Sequence, residues 1–155
     1  MHVALRMREH VWNLRARRCR RRIEACLASA RGRFGARIVE YSILGNHLHL
    51  IVEADDDRAL TKAMQGLCIR IAKALNALMR RAGGVFDDHY FARLLRSPTE
   101  LVRAIAYVLN NARHHFGSTM DPYTSAALPP SLRKALTSPP RGWLLREGWR
   151  RAGPP

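Results

Sequence analysis

His47 and His49 flank one leucine in the stretch Leu44-Gly45-Asn46-His47-Leu48-His49-Leu50-Ile51-Val52-Glu53. Read as a strand, this stretch turns Leu48, Leu50 and Val52 to one face and both imidazoles to the other. Two imidazoles side by side on a strand can grip a single metal ion. Tyr107 and Asn111 follow much later, on a predicted helix, spaced so that one lies a turn above the other. A divalent ion beside a tyrosine suits attack on a phosphodiester. The ion draws charge from the non-bridging oxygens, while the phenol, with an ordinary pKa of about 10, needs help to act as a nucleophile at neutral pH. The same residues have plainer readings: paired surface histidines, an exposed helical tyrosine, and Asn110 rather than Asn111 turned inward.

The composition points to the same class of substrate. Among 155 residues, 27 Lys and Arg face 12 Asp and Glu, a formal net charge of +15. That excess is more than solubility needs and favours a polyanionic partner; the alternative is an arginine-rich proteome. Arg15, Arg17, Arg18, Arg20, Arg21 and Arg22 form the densest basic run, placed to meet DNA phosphates or simply to solvate a helix start. Arg103 and Arg113 add charge around Tyr107. Trp143 and Trp149, set among arginines near the end of the chain, could stack on unpaired bases or anchor the segment that carries them. No apolar run approaches the ~20 residues of a membrane span, and no hydrophobic segment follows a basic start. The expectation is a cytoplasmic protein without a membrane partner. Cys19, Cys26 and Cys68 lack the spacing of a zinc site, and the first two fall on the apolar stripe of a helix.

The elements that must position these groups follow from the hydrophobic pattern. Val3, Leu5 and Met7 alternate with polar residues as a first strand. A helix over 17–30 and a hairpin of two strands, about 34–43 and the histidine strand, come next, turning at Gly45-Asn46. Asp55-Asp56-Asp57 begins a second helix, with Leu60, Met64, Leu67, Ile71, Leu75 and Leu78 at helical spacing, which is expected to stop near Gly83-Gly84. Residues 85–95 read less clearly, as a short strand or a turn followed by an arginine-bearing extended segment. Ser97-Pro98-Thr99-Glu100 opens the last helix as a capping box. There Leu101, Ile105, Val108, Leu109 and Ala112 form the buried stripe, and Arg103, Tyr107, Asn111 and His114 are expected on roughly the opposite face. All but one of the eight prolines lie beyond Gly117, without sustained periodicity. The chain therefore divides into a domain over 2–117 and a Pro-rich basic tail over 118–155. The order β-α-β-β-α with a further helix predicts an α+β, ferredoxin-like antiparallel sheet, with helices on one face, the histidines on the open face and the tyrosine helix near them.

Asn46-His47-Leu48-His49-Leu50, followed by Tyr107-Val108-Leu109-Asn110-Asn111, resembles the HUH single-tyrosine (Y1) transposases, the IS200-like group and its REP-associated tyrosine transposase relatives. The resemblance spans roughly residues 2 to 117, and departs from the group at Ala112, where proline is usual. It implies a metal-dependent endonuclease and strand transferase acting on single-stranded or hairpin DNA. By the resemblance, His47 and His49 match the metal pair, Asn111 completes the site, and Tyr107 is the nucleophile, giving a 5′-phosphotyrosine intermediate. Two imidazoles and an amide oxygen suit Mg²⁺ or Mn²⁺. The competing readings are a non-catalytic nucleic-acid-binding module on a ferredoxin-like sheet, a degenerate transposase, or an initiator protein of the wider HUH group. Monomer and homodimer both remain open.

Overall fold

The computed structural model describes residues 1–116 and 121–153, with the backbone alone over 112–116. Four antiparallel strands, β1 (His2–Arg6), β2 (Ala36–Ile43), β3 (His47–Ala54) and β4 (Phe91–Arg93), form one open sheet in the order β2-β3-β1-β4. The helices α1 (Arg17–Ala30) and α2 (Asp57–Met79) connect them in the β-α-β-β-α-β succession of the ferredoxin-like fold, with the short β4 completing the β-α-β-β-α order expected from the sequence. The helix α3 (Pro98–Phe116) follows β4.

Strand alternation sorts the side chains into two layers. Val3 and Leu5 of β1, Tyr41 and Ile43 of β2, and Leu48, Leu50 and Val52 of β3 pack with Cys19, Ile23 and Leu27 of α1 and with Leu60, Met64, Leu67, Ile71 and Leu75 of α2. Burial of this apolar face is the main driving force for the fold. The other face carries a smaller cluster, in which Ile51 and Val39 meet Leu101 and Val108 of α3. Val39 reaches that side by alternation from Ile38, and the β2–β3 register shift between Ile38 and Glu40, a bulge, then returns Tyr41 and Ile43 to the helix side.

The helix ends show which local signals act. Asp56 caps α2 by accepting from the Ala59 N–H at 2.6 Å. The same helix stops at Met79, earlier than the glycines suggested, because Arg80 adopts the left-handed conformation (φ 53°, ψ 46°) and Arg81 N–H closes onto the Asn76 carbonyl at 2.9 Å. Ser97 accepts from Glu100 N–H, and the Glu100 carboxylate reaches back to the N–H of Arg96, one residue beyond the usual partner in a capping box.

Beyond residue 120 the chain forms only short helices, α4 (Pro130–Leu136) and α5 (Trp143–Arg146), with 3-10 turns at Ser125–Ala127 and Gly148–Ala152. This segment runs along the free edge of β2: Ile43 N–H donates to the Tyr123 carbonyl and Ser138 N–H to the Ile38 carbonyl. It thereby occupies backbone groups that an edge strand would leave open. Leu128 and Leu136 join the main core, while Leu144 and Leu145 pack on the α3 side. The Glu53 carboxylate accepts from the Arg141 and Gly142 N–H groups and from Arg37. Among the described residues, no helix is long and apolar enough to cross a membrane.

Candidate active site

Antiparallel pairing of β1 with β3 sets Ala4 opposite His49 and Arg6 opposite His47. Because Ala4 carries only a methyl group, the ring of His2, two residues earlier on the same face, reaches across it. His2 Nε2 lies 3.0 Å from His49 Nδ1. The His47 and His49 rings stand perpendicular at 4.8 Å between centroids. From α3, the Tyr107 ring meets His49 at 5.2 Å and His2 at 5.6 Å, edge-on in both cases. Three histidines from two strands and one tyrosine from a helix thus form a single aromatic cluster.

The expectation that both β3 histidines lie on an open face holds for His47, which is partly exposed, but not for His49, which is 5% exposed. His2 and Tyr107 close over it. Burial first, then the neighbouring His47 and His2 rings, push the His49 pKa down to about 3. His2 is also lowered, by burial first and then by the amino terminus and Arg93. Both rings are therefore neutral at pH 7 and carry lone pairs. His49 Nε2 is buried with no hydrogen-bond partner among the described residues, as is the hydroxyl of Ser42, which stands opposite His49 on β2. A buried imidazole nitrogen left without a partner is costly unless a ligand takes it, and a divalent ion would. His47 Nδ1 lies 2.7 Å from Asn46 Oδ1, so the tautomer that donates to Asn46 carries its lone pair on Nε2.

Asn111 is buried (5% exposed), whereas Asn110 is exposed, so of the two it is Asn111 that faces inward. This corrects its assignment to the face opposite the buried stripe. Three residues beyond Val108 is only about 60° round a helix, which puts Asn111 at the margin of the stripe. Tyr107 lies further round the same margin and is 50% exposed, with one edge on the histidines and the other in solvent. No group of three or more His, Cys, Asp or Glu able to hold a metal ion occurs among the described residues.

The basic run divides. Arg15 makes a two-pronged ion pair with buried Asp121, at 2.9 and 2.8 Å, and stacks on the Tyr123 ring at 3.9 Å. Arg20 pairs with Glu24 at 2.8 Å and also faces Tyr123. These two hold the C-terminal segment rather than joining an exposed basic surface. Arg17, Arg18, Arg21 and Arg22 are exposed, but on α1, in the helical layer on the far side of the sheet from the histidines. Arg103 is exposed on α3, one turn before Tyr107. The side chains of Arg113 and His114 lie outside the described residues. Trp143 and Trp149 are substantially exposed, with Arg151 and Arg150 over their rings at 5.0 and 5.5 Å, while the neighbouring Leu144 and Leu145 pack partly buried on the α3 side.

His2 and Ser42 escaped the sequence reading. Nothing near them in the chain marks them as polar groups of a site, and only strand register brings them to His49. A cleft of about 620 Å³ beside His47, bounded by Ala4, Arg6, Asp87, Asp88, His89 and Phe91, was also hidden in the irregular stretch before α3. A cavity of about 740 Å³ lies elsewhere, between α3 and the C-terminal segment, walled by Val39, Val102, Ile105, Leu145 and Trp149.

Comparison with known proteins bears on the family and the fold. The sequence family described as "Transposase IS200 like" matches over residues 1–111. No curated protein matches the chain. A solved structure of a REP-associated tyrosine transposase bound to a REP hairpin is similar in fold, with a TM-score of 0.65 at 12% identity, covering 90% of this chain and 84% of that one.

Proposed function

Because the chain belongs to the IS200-like transposase family, we propose that it cuts and rejoins single-stranded or hairpin DNA through a covalent bond to Tyr107. The observation that carries this reading is the contact of the Tyr107 and His49 rings at 5.2 Å, which joins a candidate nucleophile on α3 to a candidate metal ligand on β3. Tyr107 Oη forms a bond to phosphorus while the bond from phosphorus to the 3′-oxygen breaks. The phenolic proton passes to water, and the departing oxygen takes up a proton to become a 3′-OH. The 5′-phosphotyrosine keeps the phosphodiester's bond energy, so a second 3′-OH can attack it, release Tyr107 and join strands.

His47, His49 and the amide oxygen of Asn111 would hold Mg²⁺ or Mn²⁺, with the imidazole donors leaning toward Mn²⁺. Such an ion, when bound, withdraws charge from the non-bridging phosphate oxygens. The half exposure of Tyr107 suits a group that must meet a phosphate, and Arg103 one turn away is placed to touch the strand. Hairpin DNA is proposed as substrate because the structural neighbour binds a REP hairpin and this chain carries a formal net charge of +15.

The test is a labelled single-stranded hairpin incubated with Mn²⁺ and either wild type or Tyr107→Phe. Wild type is expected to give a denaturation-resistant adduct, and Tyr107→Phe none, with DNA binding largely kept. An adduct that persists in the variant moves the nucleophile elsewhere. No adduct with either protein supports a non-catalytic DNA-binding module.

A further inference from the structure

Register across the sheet places four residues in one row on the α3 side: Ser42 of β2, His49 of β3, Ala4 of β1 and Phe91 of β4. The inner part of this row lies against His2, Tyr107 and α3. The outer part is bare, and Phe91 is 62% exposed. One exposed phenylalanine is ordinary on a protein surface. This one lines the 620 Å³ cleft that opens directly beside His47, with the small side chain of Ala4 between them. Cationic residues flank it on the same face: Arg6 on β1, opposite His47, and Arg93 two residues on along β4, opposite His2. Both guanidiniums are exposed, with carboxylates at 3.9 Å (Asp87) and 3.8 Å (Glu100).

We propose that this cleft is a nucleobase subsite, in which Phe91 stacks an unpaired base of the DNA strand next to the phosphate held at His47 and Tyr107. The proposal rests on the DNA-cleaving reading above. An aromatic face on a sheet accepts any base, because every base has a π-face, and stacking of this kind binds unpaired strands in preference to duplex. Charge complementarity fixes which part of the nucleotide enters. Arg6 and Arg93 at the flanks attract phosphates, whereas Asp87 and Asp88 in the cleft wall repel them, so the backbone follows the rim and the base turns in. Paired bases cannot do this, since their faces are covered by their neighbours in the stack. The subsite therefore selects for single-stranded character at the nucleotide beside the cut.

The experiment uses the full chain and a DNA hairpin with a mixed-sequence single-stranded 5′ extension, carrying 2-aminopurine at each extension position in turn. Binding should quench fluorescence most strongly at one position, and Phe91→Ala should abolish that local quenching and weaken binding by about 5- to 100-fold. Phe91→Tyr should retain both. The log–log salt slope should be unchanged in Phe91→Ala, because stacking releases no counterions, and should fall by up to about 0.7 for each of Arg6→Gln and Arg93→Gln. Affinity for a blunt duplex should be the same in wild type and Phe91→Ala. Uniform quenching along the extension, or equal hairpin affinity in wild type and Phe91→Ala, would overturn the subsite. So would a change of oligomeric state in Phe91→Ala with quenching intact, which would make the patch a contact between copies of this chain. Position-specific quenching lost in Phe91→Ala, without any covalent adduct from wild type, would uphold the subsite while the catalytic reading falls.

Discussion

His2 Nε2 and His49 Nδ1 lie 3.0 Å apart, a hydrogen bond between imidazoles on neighbouring strands. Its direction has a chemical consequence. If His49 donates, its lone pair sits on the buried Nε2, ready for a cation; if His2 donates, His49 carries a buried Nε2–H with no acceptor among the described residues. The first arrangement matches His47, whose Nδ1 faces Asn46 Oδ1 at 2.7 Å. Both β3 histidines are then oriented from Nδ1.

Outer partners of this kind set metal affinity. His2→Ala is expected to weaken Mn²⁺ binding about 10- to 100-fold in a calorimetric titration, and His2→Gln, whose amide oxygen can accept the same proton, to recover much of it. Wild-type affinity in His2→Ala would show that His49 needs no such support.

Stability should depend on pH through His49. Its folded pKa of about 3 lies below the ordinary 6.5, so the unfolded chain takes up a proton first as pH falls. The stabilising effect of the neutral buried ring is complete above pH 6.5 and is lost between there and pH 3. At pH 5 the loss amounts to about 2 kcal/mol relative to pH 8. Urea unfolding at the two values should show it, and the difference should shrink in His49→Gln. An equal pH dependence in that variant would assign the effect to other groups.

Asp121 is buried against Arg15, and removing one partner of such a pair leaves a charge without its neighbour. Asp121→Ala should cost about 3 kcal/mol by chemical denaturation. Arg17→Gln, on the exposed side of α1, should change stability by less than about 0.5 kcal/mol. Comparable small effects from both would mean that the C-terminal segment is held by its leucines alone.

The salt dependence of DNA binding tests α1 directly. Changing Arg17, Arg18 and Arg21 together to glutamine should lower the log–log slope on a single-stranded substrate by up to about 2, at about 0.7 for each lost phosphate contact. An unaltered slope would make this a solvated helix face, and the DNA path would stay on the histidine side of the sheet.

Several features were legible in the sequence because their rules are local. Alternation put Leu48, Leu50 and Val52 on one face and His47 and His49 on the other, as found. The apolar stripe marked α1 over Arg17–Ala30, and the i,i+4 spacing put Tyr107 and Asn111 along one strip of α3. Other features depended on which distant residues meet. Whether a β1 side chain reaches His49 is set by strand register, which follows from burying Val3 and Leu5 against the helices; His2 arrives as a consequence. Arg15 and Arg20 read as exposed charges until a segment about a hundred positions later brings Asp121 and Tyr123 to them. The end of α2 at Arg80 eluded the glycine rule because a non-glycine residue took the left-handed conformation. Periodicity acts over a turn or a strand, so the sequence by itself determined the long elements, β1 to β3 and α1 to α3, and the apolar faces that they bury. Burial of the whole apolar surface acts across the chain, and it alone decided which faces met, which histidine lost its contact with water, and which arginines were left facing solvent.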